Sequence, residues 1–298
     1  MKITIMNKYF ILFLLTLNIG VVHAQRVEVQ TDYNGIGDCI FSAHNNSTTP
    51  VFLKIDFADL ENTTFNEPLP YIKKLEPGFN SLFTLERDLD ADIPRFNYQL
   101  KSYRSNPAAD VNLDFPYLIP LTPGSKANVF DVKSIAGFWG NKEPKSWVAI
   151  GFMVKPKDAV YASRQGEIVE IVRNDREGDS ENWYHTWTNS ITLLQPDGTL
   201  ICYKNVIDKN KKLKLNQKIY AGQLLGEVAP NSEELILLMY QNSLSSTDLV
   251  FIIPQFLTEL DKIEIVNPAM NIKVIHPTEI RGLEMTRKEK KKILGSKK

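Results

Sequence analysis

Short runs in which apolar and polar residues alternate fill most of the chain, and this period of two predicts β-strands. Five such runs occupy residues 26–105: RVEVQT, CIFSAHN, VFLKIDF, NSLFTLER and FNYQLKSYR. Turn signals at Asn34-Gly35 and Glu76-Pro77-Gly78 favour antiparallel connections in a meander or Greek key. The sequence therefore predicts an immunoglobulin-like β-sandwich over residues 25–106.

A second set of strand patterns follows a proline-rich stretch. Four prolines predict a stiff, extended connector over residues 107–124, because helices cannot continue through them. The later strand patterns are WVAIGFMV, AVYAS, EIVEIVR, NSITLLQ, TLICYKNV, KIYAGQLLGEV and ELILLMYQ, and none has a sustained helical period. We expect an all-β protein, with an antiparallel β domain over 125–258 and a C-terminal extension over 259–298.

The first residues have the features of a secretory signal peptide. Lys2 and Lys8 precede the apolar stretch YFILFLLTLNIGVV, and small residues at Val22 and Ala24 predict a signal peptide over 1–24. The stretch is shorter than the roughly 20 apolar residues that a membrane span requires. We therefore expect an exported protein, periplasmic or secreted, with no integral membrane segment after cleavage.

Charge is balanced overall and uneven locally. The chain has 35 Lys and Arg against 35 Asp and Glu, a balance that argues against nucleic acid as a partner. Seven basic residues and one acidic residue fall in Arg287–Lys298. We expect this tail to be frayed and solvated, with attraction to an anionic envelope surface as the alternative role.

The two cysteines permit one intramolecular disulfide, and an oxidising compartment would allow it. Cys39 and Cys202 are far apart in the sequence, however, and unpaired cysteines are among the most buried residues. Two separately buried thiols are therefore the favoured prediction.

The second half of the chain contains four segments that follow one another in the order found in a known protein family. They are AIGFMVKPKDAVYASRQGEIVEIV, NSITLLQPDGTLICYKNV, KLNQKIYAGQLLGEV and ELILLMYQ. Over roughly residues 117–256 this succession resembles the lysostaphin-like (LytM-type) zinc endopeptidases, which cut peptide cross-links in bacterial cell walls. The resemblance implies a lysostaphin-type antiparallel β domain in which Gly166 and Gly198 occupy hairpin turns.

The resemblance also implies zinc, held by a His-x-x-x-Asp motif and the second histidine of a later His-x-His. Such a metal needs three protein ligands and an open position for water. In this sequence Trp147 and Gly151 stand at the His-x-x-x-Asp positions, and Asn205 stands where a catalytic histidine follows the DGT hairpin. Leu235 and Leu237 replace the His-x-His, in a register that could slip by one or two residues. We therefore expect a degenerate, non-catalytic member without a cofactor.

A count of histidines agrees with this expectation. After signal removal His44, His185 and His276 remain, and no two have the spacing that aims both side chains at one strand or helix face. The Gly-x-Ser-x-Gly nucleophile motif and the glycine-rich phosphate motifs are also absent from the sequence.

The favoured function is therefore binding or regulation of a cell-wall peptide or a partner protein of the envelope. The candidate contact residues form one aromatic loop, because Trp and Tyr are favoured at binding hot spots: Trp183, Tyr184, His185 and Trp187. The same rings could instead cover a sheet face.

Two other functions stay open. One is an active zinc metalloendopeptidase that cleaves peptidoglycan cross-links through unusual ligands, with His185 or His276 converging on carboxylates at Asp175, Asp179 or Glu181. The other is a lipoyl-type carrier modified at Lys157, although that lysine lacks the customary Met neighbour.

Overall fold

The computed structural model describes residues 26–132, 145–173, 189–245 and 248–295 of the 298-residue chain. Its elements are almost all β-strands that pair antiparallel, so the prediction of an all-β protein is confirmed. The predicted signal peptide and the predicted aromatic loop lie outside the described residues. Within the described residues, no helix is long and apolar enough to cross a membrane.

Seven strands form the N-terminal part: β1 (Val27–Tyr33), β2 (Cys39–Asn45), β3 (Val51–Glu61), β4 (Thr63–Thr64), β5 (Tyr71–Leu75), β6 (Gly78–Arg87) and β7 (Arg95–Tyr103). They pair in two sheets, of order β1-β2-β6-β4 and β5-β3-β7. Period two is clear in β2, where buried and more exposed residues alternate. The immunoglobulin-like assignment stays a prediction.

One apolar cluster joins the two N-terminal sheets. Phe41 of β2 and Leu53 and Ile55 of β3 are fully buried in it. Aromatic rings extend the cluster, with the Phe41 ring stacked on Phe83 at 4.6 Å between centroids. Since aromatic side chains bury large areas and pack with defined geometry, this cluster stabilises the packing of the two sheets against each other.

In the described residues of the second part there are fourteen strands: β8 (Lys126–Asp131), β9 (Ile150–Met153), β10 (Ala159–Tyr161), β11 (Gly166–Val172), β12 (Ser190–Leu194), β13 (Leu200–Lys204), β14 (Val206–Ile207), β15 (Lys218–Ile219), β16 (Leu224–Val228), β17 (Glu234–Asn242), β18 (Leu249–Ile252), β19 (Phe256–Glu259), β20 (Lys262–Glu264) and β21 (Ile272–Lys273). The large sheet has the order β15-β11-β12-β13-β17-β9-β8-β21, with β18 paired to β17. Strands β10, β16 and β14 form a smaller sheet, and β19 and β20 form a hairpin.

The first face of the large sheet covers the main core. Phe152, Ile168 and Tyr203 point into this core and are fully buried. Tyr117 and Ile119, from the proline-rich stretch, are buried in the same cluster. The second half of that stretch therefore contributes to the packing of the sheet.

The second face of the large sheet carries the N-terminal sandwich at its β11 side. Phe52 and Tyr103 of the sandwich pack with Val169, Leu194 and Leu200 of the sheet. Ion pairs flank this contact: Lys74 lies 3.1 Å from Glu167, and Arg104 lies 3.1 Å from Glu170. Among the described residues, the sandwich thus covers the second face at β11, at the end of β12 and at the start of β13.

The two glycines that the resemblance places in turns, Gly166 and Gly198, have different physical explanations. Gly198, in the Asp-Gly-Thr turn, has φ +88°, which is the positive value expected for a hairpin glycine. Gly166 instead lies within β11, and a Cβ there would meet the Leu194 carbonyl oxygen at 2.8 Å. Close strand approach, rather than a positive φ, requires glycine at position 166.

The C-terminal extension contains two short helices, α1 (Thr278–Arg281) and α2 (Arg287–Ile293). The expectation of a frayed tail is therefore wrong for the described residues, which reach Gly295. A capping box explains why α2 forms: the Thr286 side chain accepts from the Glu289 backbone N–H, and the Glu289 carboxylate accepts from the Thr286 N–H.

A buried arginine anchors the extension to the sheet. The Arg164 side chain is 5% exposed and donates to the Glu284 carboxylate at 2.8 Å and to Asp197 at 2.6 Å. It also donates to the Tyr117 hydroxyl and lies 4.0 Å from the Phe115 ring centroid. Both carboxylates raise the pKa of Arg164 against the opposing effect of burial, so the guanidinium stays charged.

Cys39 and Cys202 are both buried and free, as predicted. They lie in different clusters, one in the N-terminal sandwich and one on the second face of the large sheet.

Candidate functional site

Strand pairing places Gly151, one of the positions implied by the resemblance, in a row of residues across the large sheet. Lys204 at the end of β13 is opposite Ile236 of β17, and Ile236 is opposite Gly151 of β9. Gly151 is in turn opposite Phe130 of β8. Directly opposite residues in antiparallel strands share a face, so this row runs across the second face of the sheet.

The region around Gly151 is filled by an aromatic ring. A Cβ on Gly151 would lie 2.2 Å from Cζ of Phe130 and 2.5 Å from two further ring atoms. The Phe130 ring therefore rests on the glycine, an arrangement by which aromatic side chains cover glycine in neighbouring strands. A carboxylate at position 151 does not fit unless Phe130 moves.

Trp147 belongs to the same apolar cluster. It packs against the cluster that includes Ile236 and Leu238 of β17, and its ring lies 4.7 Å from that of Phe251, at an angle of 61°. Ile236 is fully buried and Leu238 is 3% exposed. The cluster is therefore a packed apolar layer rather than an open cleft.

Leu235 and Leu237 lie on the opposite face from Gly151, in the main core. The side-chain period of a strand is two, so a shift of one residue moves every side chain to the other face. Ile236 and Leu238 are the pair that shares a face with Gly151.

Asn205 has a structural role at the end of β13. Its φ is +66°, in the left-handed region where asparagine is among the tolerated residues. Its side-chain Nδ2 donates to the Glu234 carbonyl at 3.0 Å, and its backbone N–H donates to the Asn189 carbonyl at 2.8 Å. The residue links the β13–β14 junction to the start of β17.

Towards the sandwich, the second face becomes polar. Thr192 donates to the Glu170 carboxylate at 3.2 Å, and Glu170 pairs with Arg104. Cys202, which is opposite Thr192, is buried, and burial raises the pKa of its thiol. A buried thiol of this kind contributes to packing.

A groove of about 530 Å³ runs along β11 beside this polar region. Glu170, Arg173 and Lys214 supply its charged groups, and its apolar lining comes from Val169, Ile171, Leu213 and Leu215. The predicted aromatic loop begins at Trp183, ten residues after Arg173, and Trp183, Tyr184, His185 and Trp187 lie outside the described residues. So do Asp175, Asp179 and Glu181, the carboxylates of the alternative zinc site.

The two histidines that the structure describes have different surroundings. His44 is exposed on β2. His276 is half-buried, and its Nε2 donates to the Ile119 carbonyl at 2.8 Å, beside the Tyr161 ring. Burial lowers the pKa of His276. Among the described residues no group of three His, Cys, Asp or Glu side chains is placed to hold a metal ion, and the apolar side chains around Gly151 do not fit zinc.

Lys157, the candidate for lipoyl attachment, lies between β9 and β10 with φ +70°. Its side chain is exposed. The position is a tight turn, but nothing around it distinguishes a modified lysine from an ordinary exposed one.

No protein-family model matches the sequence, and comparison with curated proteins gives no match either. Solved structures do match. The solution structure of lysostaphin is 21% identical, with a TM-score of 0.26, and the matched region covers 34% of this chain and 39% of the lysostaphin chain. The catalytic domain of lysostaphin from Staphylococcus simulans is 20% identical, with a TM-score of 0.29, and the match covers 43% of this chain and 86% of that domain. Csd3 of Helicobacter pylori is 11% identical, with a TM-score of 0.32, and the match covers 91% of this chain and 77% of the Csd3 chain.

The chain thus has an all-β fold, and the solved structures to which it is similar include lysostaphin and an M23 metalloprotease. It spans 39% of the length of the full lysostaphin chain. At these identities and TM-scores no residue role is transferred from those proteins. The positions discussed above rest on the order of motifs in this sequence and on its own strand pairing.

Proposed function

We propose that this chain is an exported, non-catalytic protein of the cell envelope, built on a lysostaphin-type peptidase-like fold. It binds or regulates a wall peptide or a partner protein of the envelope. The observation that carries the proposal is the Phe130 ring resting on Gly151, at the position where the resemblance implies an aspartate ligand.

The physical reason is the kind of environment that a hydrolytic zinc requires. Such a zinc needs three nitrogen or oxygen ligands and one open position for the attacking water. Here the corresponding part of the sheet is occupied by Phe130, Trp147, Ile236, Leu238 and Phe251. An apolar layer of this kind stabilises the sheet by burial and supplies neither ligands nor room for water.

The binding surface that we propose is the aromatic loop, Trp183 to Trp187, together with the groove along β11. Support for the loop comes from the sequence, since Trp and Tyr contribute strongly to binding hot spots. Support for the groove is its mixed apolar and charged lining. Clefts with apolar walls and a few polar groups are typical of ligand sites.

Incubation of the purified protein with insoluble peptidoglycan tests both halves of the proposal. Cosedimentation measures binding, and mass spectrometry of the supernatant measures peptide release. We expect saturable binding without release, and no effect of a chelator. Trp183→Ala/Trp187→Ala should weaken binding at least tenfold, as hot-spot tryptophans do. The matched control is Phe79→Ala, which removes an aromatic ring that is 72% exposed on the N-terminal sandwich.

Release of peptides that stops when a chelator is added would contradict the non-catalytic proposal and favour the zinc endopeptidase. Binding that is equal in the tryptophan variant and in the wild type would remove the aromatic loop from the proposal. Absence of binding to peptidoglycan would leave a partner protein as the ligand, which crosslinking in intact envelopes can identify.

A further inference from the structure

Two lysine-rich segments that are about 70 residues apart in the sequence lie next to each other in the fold. The first is the link 208–218, and the second is helix α2. The Glu289 carboxylate of α2 accepts from Lys218 Nζ at 2.8 Å and from the Tyr220 hydroxyl at 2.9 Å. The hydrogen bond from Lys218 is the main cause that lowers the pKa of Glu289 to about 2, so this contact is ionic at any ordinary pH.

β15, which holds Lys218 and so meets Glu289 of α2, is an edge strand of the large sheet. Lys218 of β15 is opposite Glu167 at the start of β11. The preceding residues then follow β11, since the Asn216 N–H donates to the Ile168 carbonyl and Arg173, just beyond the strand's end, contacts Asp208. The link therefore extends along the length of β11, roughly 20 Å for seven residues.

We define the basic edge as ten residues: Lys209, Lys211, Lys212, Lys214, Lys218, Arg287, Lys288, Lys290, Lys291 and Lys292. All ten are exposed. The acidic residues of the same two segments are Asp208 and Glu289, so the segments carry a net charge of plus eight in a chain whose formal net charge is zero. These two segments therefore concentrate positive charge, of which Glu227 pairs with Lys209 at 3.9 Å and Glu167 is opposite Lys218, and the remainder of the chain carries a net charge of minus eight.

The shape of the basic edge indicates the class of ligand. Its charges form a row along a strand, beside the groove that Arg173 and Lys214 border. Helix α2 has no buried residue, and its sequence RKEKKKI has a single apolar side chain, so it lacks the apolar face with which interfacial helices enter a membrane. A row of charges fits an extended chain of anions better than it fits a lipid surface.

We propose that the basic edge binds a linear polyanion with phosphate groups along its backbone. This site is separate from the peptide-binding surface proposed above and does not depend on it. Each lysine would act as a point charge on a phosphate, and binding would be coupled to counterion release.

Titration of the full chain with fluorescently labelled inorganic polyphosphate, at several salt concentrations, tests the proposal. Two variants, Lys211→Gln/Lys212→Gln/Lys214→Gln and Lys288→Gln/Lys290→Gln/Lys291→Gln, remove three charges from one segment each. We expect each to lower the affinity about tenfold or more and to reduce the slope of log K against log salt by about two.

The matched control is Lys126→Gln/Lys155→Gln/Lys273→Gln, which removes three exposed lysines elsewhere. Lys126 and Lys273 are opposite each other in β8 and β21, at the other edge of the same sheet. The control should bind as the wild type does. All nine lysines are exposed, so circular dichroism should show unchanged folding.

Three results would overturn the proposal. An equal loss in the control variant would mean that only net charge matters. A loss in one of the two edge variants alone would mean that the segments do not form one site. Binding to vesicles of phosphatidylglycerol that is as strong as binding to polyphosphate, with the same sensitivity to both variants, would make a lipid surface the ligand instead.

Discussion

Gly151→Ala should destabilise the protein far more than an exposed glycine-to-alanine change does. The added Cβ would lie 2.2 to 2.5 Å from three atoms of the Phe130 ring. Carbon atoms in contact normally lie about 3.5 to 4.0 Å apart, so the ring must retreat by about 1 Å or more. Overpacking of this kind costs about 1–3 kcal/mol in free energy of unfolding.

Urea denaturation of four proteins measures the effect: the wild type, Gly151→Ala, Phe130→Ala and the double variant. Removal of the ring makes room for the methyl group, so in the Phe130→Ala background we expect the Gly151→Ala cost to fall below about 0.5 kcal/mol. The resulting coupling of about 1–3 kcal/mol is within the range for residues in contact.

Gly35→Ala is the matched control, since a Cβ there meets nothing within 4 Å. It should change stability by less than about 0.5 kcal/mol. A Gly151→Ala variant as stable as this control, or one whose cost is unchanged when Phe130 is removed, would refute the conclusion that the ring fills this part of the sheet.

Three further predictions concern other parts of the fold. Glu284→Gln should cost about 1.5–3 kcal/mol in urea denaturation, because it removes a carboxylate that pairs with buried Arg164; an unchanged midpoint would contradict the anchoring role. The pKa of His276 is lowered in the folded state, so stability should be lost as pH falls below about 6.5. The variant His276→Gln keeps a donor for the Ile119 carbonyl and should remove this part of the pH dependence. Cys39 and Cys202 should react with a thiol reagent only as the chain unfolds, so rapid labelling of two thiols in the native protein would contradict their burial.

Local patterns were sufficient to predict most of the strands but not their register. In β2 buried and more exposed residues alternate, so its faces can be read from the sequence. In β17 the residues Leu235 to Met239 are all buried, because both faces of the strand are covered. A strand that is apolar on both sides has no alternation, so the sequence could not tell which of Leu235 and Ile236 shares a face with Gly151.

The helix α2 had a signal that sequence reading missed. Thr286 and Glu289 have the Ser/Thr-x-x-Glu spacing of a capping box, but the lysine-rich composition favoured a solvated tail. The partner of Arg164 could not have been predicted, since Glu284 is 120 residues further along the chain. Local spacing carries no information about such a distant ion pair.

The packing around Gly151 could be predicted only in part from the sequence. The absence of suitable ligands at Trp147 and Gly151 follows from the sequence, but the residue that fills the space, Phe130, lies on β8 and reaches Gly151 only through strand pairing. No motif connects these two positions.

Zinc analysis of the purified full-length protein tests the central conclusion most directly. The chain is incubated with one equivalent of zinc, dialysed against metal-free buffer and analysed by inductively coupled plasma mass spectrometry. Because Phe130, Trp147 and Ile236 fill the implied position, we expect the metal to be removed by dialysis. One zinc ion per chain that survives dialysis in the wild type, and is lost in His276→Gln, would contradict this conclusion.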